Sequence, residues 1–519
     1  MVKNRLFTEW DFLDKNTIRF AQITKLKTFL RDHVIPFSHF YRDMFNKAHI
    51  DPEKFTSLDD LRQIPFTAKN DLLVTSDHPD RARDFVLIPN QSQLSKRPRV
   101  MLRALLSGKA QVKAALQREY RPIFLTSTTG RSSEPIGFFY TAYDLDNLAS
   151  AGKRLVDVVG AVPEERAINM FPYAPHLAFW QAHYATTAFG VFAVSTGGGK
   201  AMGTDGNLRL MEKIQPNTVL GMPTFLYHVL TQAADEGRSY QNLTTLVLGG
   251  EKVPPGMRNK LATLVKLLSG NTARVVATYG FTEAKMAWGE CPFQLDQPAS
   301  GYHLYPDLGL FEVIDPESGE VLPEGSPGEL VFTPLDARGS VVLRYRTGDC
   351  IDGGLIYEPC PYCKRIVPRL VGNISRESEV RELRFDKIKG TLVDFNELEH
   401  LLDDAEYIGA WQVELRKMHD DPLELDELIL HVERIGSKDD ETVSRQLANL
   451  VAAHTEIHPN QILFHSRRHM RKRQGVGEEL KEKRLVDHRP NGSHPLPPRD
   501  SSQWHNPLSW IFKRMGATR

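Results

Sequence analysis

The segment between residues 122 and 350 alternates short apolar runs, rich in branched and aromatic side chains, with longer runs of helical character. Short buried strands separated by helices are typical of parallel sheets that helices cover on both faces. The alternation therefore predicts an α/β fold with mostly parallel sheets for the large N-terminal part of the chain. The predicted strands are 122–127, 167–173, 189–195, 218–222, 243–250 and 273–280, and the predicted helices between them include 224–237 and 255–270. A further helix is expected over 17–47, where apolar residues recur every three or four positions.

The pattern changes twice further along the chain. Residues 308–350 are rich in strand-like runs, which predicts a β-rich subdomain. From residue 372 to residue 488, helical and strand-like runs alternate again, which predicts a small, separate α+β domain. Residues 489–507 have the Pro, Ser, Asn and His content of a flexible tail. We therefore expect a large domain over 1–371, a small mobile domain over 372–488 and a tail over 489–519.

The charge balance excludes some classes of function. The 519 residues contain 65 Lys plus Arg and 65 Asp plus Glu, so the formal net charge is zero. A balanced charge disfavours a dedicated nucleic-acid or anionic-membrane binder. Four cysteines are too few for a disulfide scaffold, and no apolar run approaches the roughly 18 residues of a membrane span. We expect a cytoplasmic protein that contacts neither nucleic acid nor membranes, with a homodimer as the default assembly.

One segment, residues 90–120, is nevertheless basic. It has no aromatic side chain before Tyr120, whereas sites for single-stranded nucleic acid combine a basic groove with stacking aromatics. We therefore interpret the segment as the solvated face of a helix.

A run of hydroxyl side chains follows the first predicted strand and ends in glycine. Consecutive hydroxyls and backbone N–H groups can donate hydrogen bonds to a phosphate, and the next residue, Arg131, adds positive charge. The run lacks the Gly-x4-Gly-Lys pattern of a Walker A loop, and an ordinary polar turn is the alternative interpretation. The candidate phosphate-binding residues are Thr126, Ser127, Thr128, Thr129 and Gly130.

Two acidic positions follow predicted strands further along the chain. In an open α/β sheet, ligands bind beyond the carboxyl ends of the strands, where Tyr279, Gly280, Thr282 and Glu283 lie. The Glu283 carboxylate can hold Mg2+ beside phosphate groups, although Thr282 and Glu283 would also suit the start of a helix. Asp349 follows a glycine and can accept both hydroxyls of a ribose, the alternative being a plain hairpin turn.

Three cysteines and one histidine have the spacing of a structural metal site. Cys360 and Cys363 form a Cys-x2-Cys pair, and Cys291 precedes His303 by twelve residues. Three thiolates and one imidazole complete the tetrahedral shell that structural Zn2+ prefers. The alternative is a set of unrelated thiols and an unconnected histidine. The fourth cysteine, Cys350, is interpreted as a small buried apolar residue.

The hydroxyl-rich loop, the Tyr279–Glu283 segment and the Asp349 turn occur in an order that resembles the adenylate-forming superfamily of acyl-coenzyme A synthetases, luciferases and peptide-synthetase adenylation domains. The stretch Pro65–Leu72 is similar to the Pro-Phe-Thr-x-Lys-x-Asp-Leu signature of the phenylacetate–coenzyme A ligase branch. Lys481–Asp487 resembles the Gly-Lys-x-x-Arg-Val-x-Asp ending of that branch, and the cysteine pattern is similar as well. The likeness covers residues 50–490.

The resemblance implies an ATP-dependent ligase that joins an acid to a thiol. A substrate carboxylate would attack the α-phosphorus of Mg–ATP to form an acyl-adenylate and pyrophosphate, and coenzyme A is the leading candidate for the acceptor. Lys481 would bridge the carboxylate and the α-phosphate, favoured over the neighbouring Lys483 by its spacing to Arg484 and Asp487. Thr282 and Glu283 would be further catalytic residues. The small domain would then rotate about residues 370–376. The residues implied to flank adenine are Tyr279, Gly249, Gly250 and Glu251.

The chain departs from the pattern of the family at two places. Ser127 replaces the first glycine of the usual phosphate loop, and Pro135 comes later than usual. At the hinge, where the family usually has Gly-Arg, this chain has Gly372-Asn373, so that Arg369 or Arg376 would have to supply the guanidinium for the ribose.

The acyl pocket implied by the resemblance contains several aromatic residues, which suits an aryl or arylacetic acid. Two other functions remain open, namely an adenylating enzyme whose acceptor is an amine, a carrier thiol or a protein thiol, and a non-catalytic ATP-binding homologue. The changed phosphate loop and hinge motivate the second. The expected pocket residues are His176, Phe179, Trp180, Met222 and Pro223.

Overall fold

The computed structural model describes residues 9–75, 78, 81–89, 94, 97–128, 135–376, 380–383, 391–420, 424–455, 457–477 and 482–489. Within these residues no helix combines the length and the apolar composition that crossing a membrane requires. The helices of eight or more residues are α1 (Lys15–Phe29), α2 (His39–Lys47), α3 (Pro98–Ser107), α4 (Lys109–Tyr120), α5 (Ala142–Val159), α6 (Leu177–Phe189), α7 (Gly198–Ile214), α8 (Pro223–Asp235), α9 (Pro255–Ser269), α10 (Phe395–Asp404), α11 (Asp440–Thr455) and α12 (Arg467–Gln474).

The strands alternate with these helices in the first part of the chain, follow one another without a long helix between residues 274 and 394, and alternate with helices again after residue 394. They are β1 (Phe124–Ser127), β2 (Gly137–Tyr140), β3 (Arg166–Asn169), β4 (Phe192–Ser195), β5 (Thr218–Gly221), β6 (Thr245–Leu248), β7 (Arg274–Phe281), β8 (Met286–Gly289), β9 (Tyr302–His303), β10 (Gly309–Ile314), β11 (Gly328–Pro334), β12 (Tyr345–Ile351), β13 (Leu355–Ile356), β14 (Arg369–Leu370), β15 (Ile374–Arg376), β16 (Val380–Leu383), β17 (Thr391–Asp394), β18 (Ile408–Lys417), β19 (Asp426–Arg434), β20 (Gln461–His465) and β21 (Leu485–Asp487).

The largest sheet of the described residues has nine strands in the order β13-β14-β9-β8-β7-β6-β5-β3-β4. Its half from β4 to β7 is parallel, as the alternation of strands and helices predicts, and its half from β7 to β13 is antiparallel. The helices α7, α8 and α9 cover the parallel half with a continuous apolar core. The carboxyl ends of β6 and β7 therefore meet at one edge of the sheet, with the antiparallel half beside them.

A second sheet confirms the predicted β-rich subdomain. It is antiparallel, in the order β10-β11-β12-β15, and β12 carries the Tyr345–Ile351 segment. Within 308–350, the apolar run that starts at Ser340 becomes a strand only at Tyr345, because Ser340–Leu343 pack as buried chain outside the named strands. The strand β15 still pairs with β12, beyond the expected domain boundary at residue 371.

The small lobe is a mixed α+β unit. Its four-stranded sheet has the order β20-β19-β18-β21, in which β18 and β19 are antiparallel and both outer pairs are parallel. The helices α10 and α11 pack on this sheet through a separate apolar core. Arg489 still forms ion pairs with Asp487 and Asp426, whereas the rest of the expected tail, from residue 490, lies outside the described residues.

The predicted helix over 17–47 is interrupted near its centre. The chain leaves α1 through a π-helical turn over Leu30–Val34, and Pro36 follows in a short helical turn, Ile35–Phe37. Ser38 then adopts an extended conformation and caps α2 by accepting a hydrogen bond from the backbone of Tyr41. The apolar periodicity continues through the break, so periodicity alone could not reveal it.

The two lobes contact each other through polar groups. The backbone N–H of Gly256 donates to Asp404 over 2.7 Å, and Lys260 donates to the carbonyl of Ile408 over 3.1 Å. On the other side of the interface, Arg471 donates to Thr204 and to Gln232. Charged and polar contacts of this kind are typical of domains that move relative to each other.

One close contact sets the distance between α5 and α6. Gly152 of α5 lies against Ala185 of α6, and a Cβ atom at Gly152 would lie 2.6 Å from the Ala185 Cα atom. Real Cβ atoms do not approach backbone this closely, so the two helices can pack at this distance only because residue 152 has no side chain.

We expect Gly152→Val to lower the free energy of unfolding by about 1–3 kcal/mol, because overpacking forces the two helices apart. Thermal denaturation measures the change. Ser150→Val, at an exposed position of the same helix, is the matched control and should change stability by no more than about 0.5 kcal/mol. Equal melting temperatures for the two variants would contradict this account of the packing.

Candidate active site

Two glycines follow β6, and the first of them approaches the neighbouring strand more closely than any side chain would allow. A Cβ atom at Gly249 would lie 2.4 Å from Oγ1 of Thr278, whose hydroxyl donates to the carbonyl of Leu248 over 2.9 Å. Gly250 has a φ of +80°, in the left-handed region that favours glycine. Both residues lie at the carboxyl edge of the sheet, beside Tyr279 and Gly280 of β7.

Tyr279 and Asp349 join the two sheets. The Tyr279 hydroxyl donates to Asp349 Oδ2 over 2.9 Å, and Arg376 Nε lies 3.2 Å from Asp349 Oδ1. Burial raises the pKa of Tyr279 well above its usual value, and the neighbouring Asp349 carboxylate raises it further. Tyr279 therefore remains a neutral hydrogen-bond donor. The sequence had brought these residues to one site only through the resemblance, and the structure brings them into contact.

Glu283 follows Thr282 in a single 3₁₀ turn after β7. Its Oε1 atom accepts a hydrogen bond of 2.9 Å from the Tyr345 hydroxyl at the start of β12. Burial raises the pKa of Glu283. A half-buried carboxylate with one oxygen engaged suits a hard cation such as Mg2+. The positive charge of the cation would stabilise the ionised carboxylate. The turn is too short for the helix start that the alternative interpretation required.

The described part of the phosphate-loop candidate is tied into the large lobe. The Thr126 side chain is buried and donates to the Tyr140 hydroxyl over 3.1 Å. The backbone N–H of Ser127 donates to Pro175, and the Nδ1 atom of His176 lies 2.9 Å from the Ser127 carbonyl oxygen. Thr128 and Ile136 close the loop through two hydrogen bonds. Thr129 and Gly130 lie outside the described residues.

Glu251 meets the first turn of α8. Its Oε2 atom accepts a 2.6 Å hydrogen bond from the Thr224 hydroxyl. One turn further along the same helix, His228 is buried against Glu482 of the small lobe, with 3.6 Å between Nε2 and Oε2. Lys481 lies outside the described residues, and its neighbour Glu482 is thus the described residue nearest to it in sequence.

Arg369 and Asp349 have different hydrogen-bond partners. It is a buried residue of β14, and its guanidinium donates to the carbonyl oxygens of Ser300 and Glu358. Of the two arginines considered for the ribose, Arg376 is the one that meets Asp349. Asn373 instead bonds Asp352 through its backbone and its side chain.

An apolar cavity of about 100 Å³ lies between α5, α6 and the sheet. One part of the cavity is lined by Gly249, Gly250, Thr278 and Gly280, which lie in or beside the segments expected to bind the nucleotide. On α6 it is lined by Ala178, Gln181, Ala182, Ala185 and Thr186, which share one face of the helix.

The five residues expected to form the acyl pocket are not among those that line this cavity. Phe179 and Trp180 point from another face of α6 and pack against Tyr173. His176 binds the Ser127 carbonyl, and Met222 precedes Pro223 at the start of α8, with its side chain close to Gly250. The cavity is therefore found on a face of α6 that the sequence did not single out.

The predicted metal ligands come together in one buried cluster. The donor atoms of Cys291, His303, Cys360 and Cys363 all lie within 4.8 Å of one another. Cys291 Sγ lies 3.6 Å from Cys360 Sγ, and Cys363 Sγ lies 3.2 Å from His303 Nε2. Hydrogen bonding from Cys291 lowers the pKa of Cys360.

The geometry of the cluster fits Zn2+. With Zn–S bonds of about 2.3 Å, a tetrahedral site puts two sulfurs about 3.8 Å apart. The Nδ1 atom of His303 lies 3.3 Å from the Gly289 carbonyl oxygen, which leaves Nε2 as the atom for the metal. Since all four side chains are buried, such a site would be closed to substrate, and the metal would stabilise the fold.

The comparisons with known proteins agree with this site. The AMP-binding enzyme family matches residues 128–334. The chain is 28% identical over 413 residues to a phenylacetate–coenzyme A ligase of Thermus thermophilus, covering 79% of this chain and 80% of the relative. It is 29% identical over 341 residues to a phenylacetate–coenzyme A ligase of Aromatoleum evansii, covering 64% and 66%.

A solved structure of a 2-hydroxyisobutyryl-CoA ligase in its postadenylation state has the same fold, with a TM-score of 0.72, 18% identity and coverage of 94% and 93%. Against the thioesterification state of that ligase the TM-score falls to 0.59, and against an open conformation it falls to 0.57.

The chain therefore contains an AMP-binding enzyme domain over residues 128–334 and shares its fold with a solved acyl-CoA ligase. Its curated relatives include phenylacetate–coenzyme A ligases, the branch that its sequence motifs resemble.

One residue at the site, His228, carried no recognisable signal in the sequence, because the run 224–237 is predicted only as a helix. Tyr345 lies four positions before Asp349, but nothing in the sequence pairs it with Glu283 across 62 positions. Gln181 could have been noticed, because it is an amide within the otherwise apolar run from Leu177 to Ala182.

We expect the purified protein to contain about one equivalent of zinc, and Cys360→Ser to lose the zinc and to melt at a lower temperature. Elemental analysis and thermal denaturation measure the two effects. Cys350→Ser is the matched control because Cys350 is the one cysteine outside the cluster, and it should retain the metal. Metal-free wild-type protein of unchanged stability would contradict the assignment.

Proposed function

We propose that this protein activates a carboxylic acid with ATP to form an acyl-adenylate and pyrophosphate, and then transfers the acyl group to a thiol. Coenzyme A is the proposed thiol, because curated relatives of this chain are phenylacetate–coenzyme A ligases. An aryl or arylacetic acid is the corresponding substrate class.

One observation carries the proposal. The Tyr279–Asp349–Arg376 contacts and the Glu283–Tyr345 contact converge where β7 meets β12, directly beside the glycines at the mouth of an apolar cavity. A ribose-binding carboxylate, a cation-binding carboxylate and an apolar pocket are the three features that a nucleotide and an acyl group need at one place.

The chemistry requires positioning more than covalent help from the protein. A carboxylate is a weak nucleophile, so the site accelerates its attack on the α-phosphorus by holding the two reactants together and stabilising the charge that develops. In this proposal Asp349 accepts the ribose hydroxyls, Arg376 holds Asp349 in position, and Tyr279 with Gly249 and Gly250 flanks adenine.

The phosphates would lie on the hydroxyl-rich loop that Thr126 begins. Mg2+, when bound at Glu283, would neutralise phosphate charge. Lys481 would contribute the positive charge that bridges the carboxylate and the α-phosphate.

We propose a large domain over 1–371, a mobile domain over 372–488 and a tail over 489–519. Lys481 precedes Glu482, which is buried against His228 of the large lobe. A rotation about residues 370–376 would separate this pair and withdraw Lys481 after adenylation. The Cys291–His303–Cys360–Cys363 cluster would hold structural zinc within the large domain and take no part in the reaction.

We expect one class of carboxylic acid to support exchange of labelled pyrophosphate into ATP in the absence of coenzyme A. Lys481→Ala should reduce this exchange by about 10²–10³-fold, the usual cost of removing one charge-stabilising group. A panel of aryl, arylacetic, fatty and amino acids identifies the class.

Lys483→Ala is the matched control, since it removes an exposed lysine two positions further on and should retain exchange. Equal loss in both variants would contradict the role of Lys481. No exchange with any acid, despite bound ATP, would contradict the adenylation proposal itself.

A further inference from the structure

Gln181 is the polar residue that stands out in the wall of the apolar cavity. We propose that its amide Nε2 group donates a hydrogen bond to an oxygen atom on the acyl part of the substrate. The substrate class is then a carboxylic acid that carries a hydroxyl, alkoxy or keto oxygen on its otherwise apolar group. This inference rests on the proposed function.

The orientation of the amide follows from its one partner. Gln181 is only 3% exposed, and its Oε1 atom accepts a 3.0 Å hydrogen bond from the backbone N–H of Ala287. Because a backbone N–H can only donate, the amide oxygen must face it and the NH2 group must face away. The Nε2 atom is buried and has no hydrogen-bond partner among the described residues.

Other polar groups of the cavity wall are already engaged. The Thr278 hydroxyl donates to Leu248, the Thr186 hydroxyl donates to Ala182 within its own helix, and the Thr218 hydroxyl donates to Glu165. A buried donor without an acceptor is costly, and native proteins keep few of them without a reason. An acceptor on the bound ligand supplies that reason.

The position of Gln181 also limits where the substrate oxygen lies. Its partner Ala287 is the direct cross-strand neighbour of Gly280, one of the glycines at the nucleotide end of the cavity. The oxygen is therefore expected within the part of the acyl group nearest to the carboxylate, and not at the far end of the cavity beside Glu165 and Val191.

The test compares pairs of acids that share a carbon skeleton and differ by one oxygen, such as 2-hydroxy or ring-hydroxylated acids with their deoxy forms. We expect the wild type to favour the oxygenated member of at least one pair by more than tenfold in kcat/KM of pyrophosphate exchange. A site built to bond a substrate hydroxyl rejects the analogue that lacks it. Gln181→Leu should lower kcat/KM for the oxygenated acid toward that of its deoxy form and so remove the preference.

Thr186→Val is the matched control, because Thr186 lines the same cavity on the same helix with its hydroxyl already bonded. It should retain the preference. If the wild type supports exchange and Gln181→Leu has the same ratio of kcat/KM between the two acids of a pair, this inference is wrong. The adenylation proposal would still stand.

If no acid supports exchange, the shift in melting temperature that each acid of a pair produces decides the inference by itself. A larger shift with the oxygenated acid, lost in Gln181→Leu, would support the role of Gln181, and equal shifts would overturn it.

A second inference rests on a different part of the molecule. Helix α3 presents four strongly exposed apolar side chains, with Leu105 83% and Leu106 78% exposed and Met101 and Leu102 more than half exposed. At 100° per residue these four positions cover one continuous arc of the helix, whereas Ala104 is half-buried on the opposite side. Exposed apolar arcs of this kind mark interaction surfaces.

The charge around this arc selects the partner. The segment 97–118, which contains α3 and most of α4, has no acidic residue and six basic ones: Arg97, Arg99, Arg103, Lys109, Lys113 and Arg118. In departure from the expectation drawn from the balanced net charge, we infer that α3 docks on an anionic lipid surface. Its leucines would insert at the headgroup level, with the exposed Arg103, Lys109 and Lys113 beside the lipid charges. A second copy of the same face would bring like charges together and is disfavoured.

Sedimentation with vesicles tests this surface without any assay of activity. We expect binding to vesicles of phosphatidylcholine with phosphatidylglycerol, weaker binding to phosphatidylcholine alone, and a loss of more than tenfold in Leu105→Glu/Leu106→Glu. Leu267→Glu is the matched control, because Leu267 is 70% exposed on α9 and should not matter for binding.

Wild-type protein that ignores anionic vesicles at low salt would overturn the inference. So would a concentration-dependent dimer that the double variant abolishes, since α3 would then be an interface between two copies.

Discussion

The hydrogen bond between Tyr279 and Asp349 is the contact on which the nucleotide site depends, because it joins two sheets that the chain builds separately. Tyr279 lies in the large sheet, where β7 pairs with the antiparallel strand β8, and Asp349 lies in the second sheet, 70 positions further on. Burial keeps the tyrosine protonated by raising its pKa, so it can always donate to the carboxylate. Glu283, in the turn that follows β7, and Tyr345, at the start of β12, form a second contact between a carboxylate and a phenol.

The small lobe meets this site through buried charge. Arg484 contacts Asp403 and Glu399 within the small lobe, and Glu482 is buried against His228 of the large lobe. Isolated charges are costly to bury, so these residues stabilise the closed arrangement only while their partners are present. Such an interface can open without exposing a large apolar core, which a ligase with two half-reactions needs.

Helix α5 contributes residues both to the surroundings of the metal cluster and to the wall of the cavity. Helix α5 contacts the large sheet beside the cysteine cluster, where Val158 packs against the buried thiols, and its other residues line the cavity with α6. The close contact of Gly152 with Ala185 sets the distance between α5 and α6. The width of the cavity therefore depends on a glycine that touches no ligand.

The sequence predicted most of the strands, the zinc ligands and the order of the nucleotide motifs, because each of these leaves a local pattern. Apolar runs between helices mark buried strands, and the Cys-x2-Cys pair marks a metal knuckle. The break in the first helix left no such pattern. Nothing in the sequence tells which of Arg369 and Arg376, seven positions apart, contacts Asp349.

What the sequence by itself determined is the class of fold and the chemistry of the motifs, since both depend on residue type and local spacing. Only the tertiary structure decided that Arg376 meets Asp349, that Gln181 has a free amide NH2 group in the cavity, and that Leu105 and Leu106 are exposed. These facts depend on which faces of distant elements meet, and burial removes water from some side chains and not from others. A pattern along the chain does not contain that information.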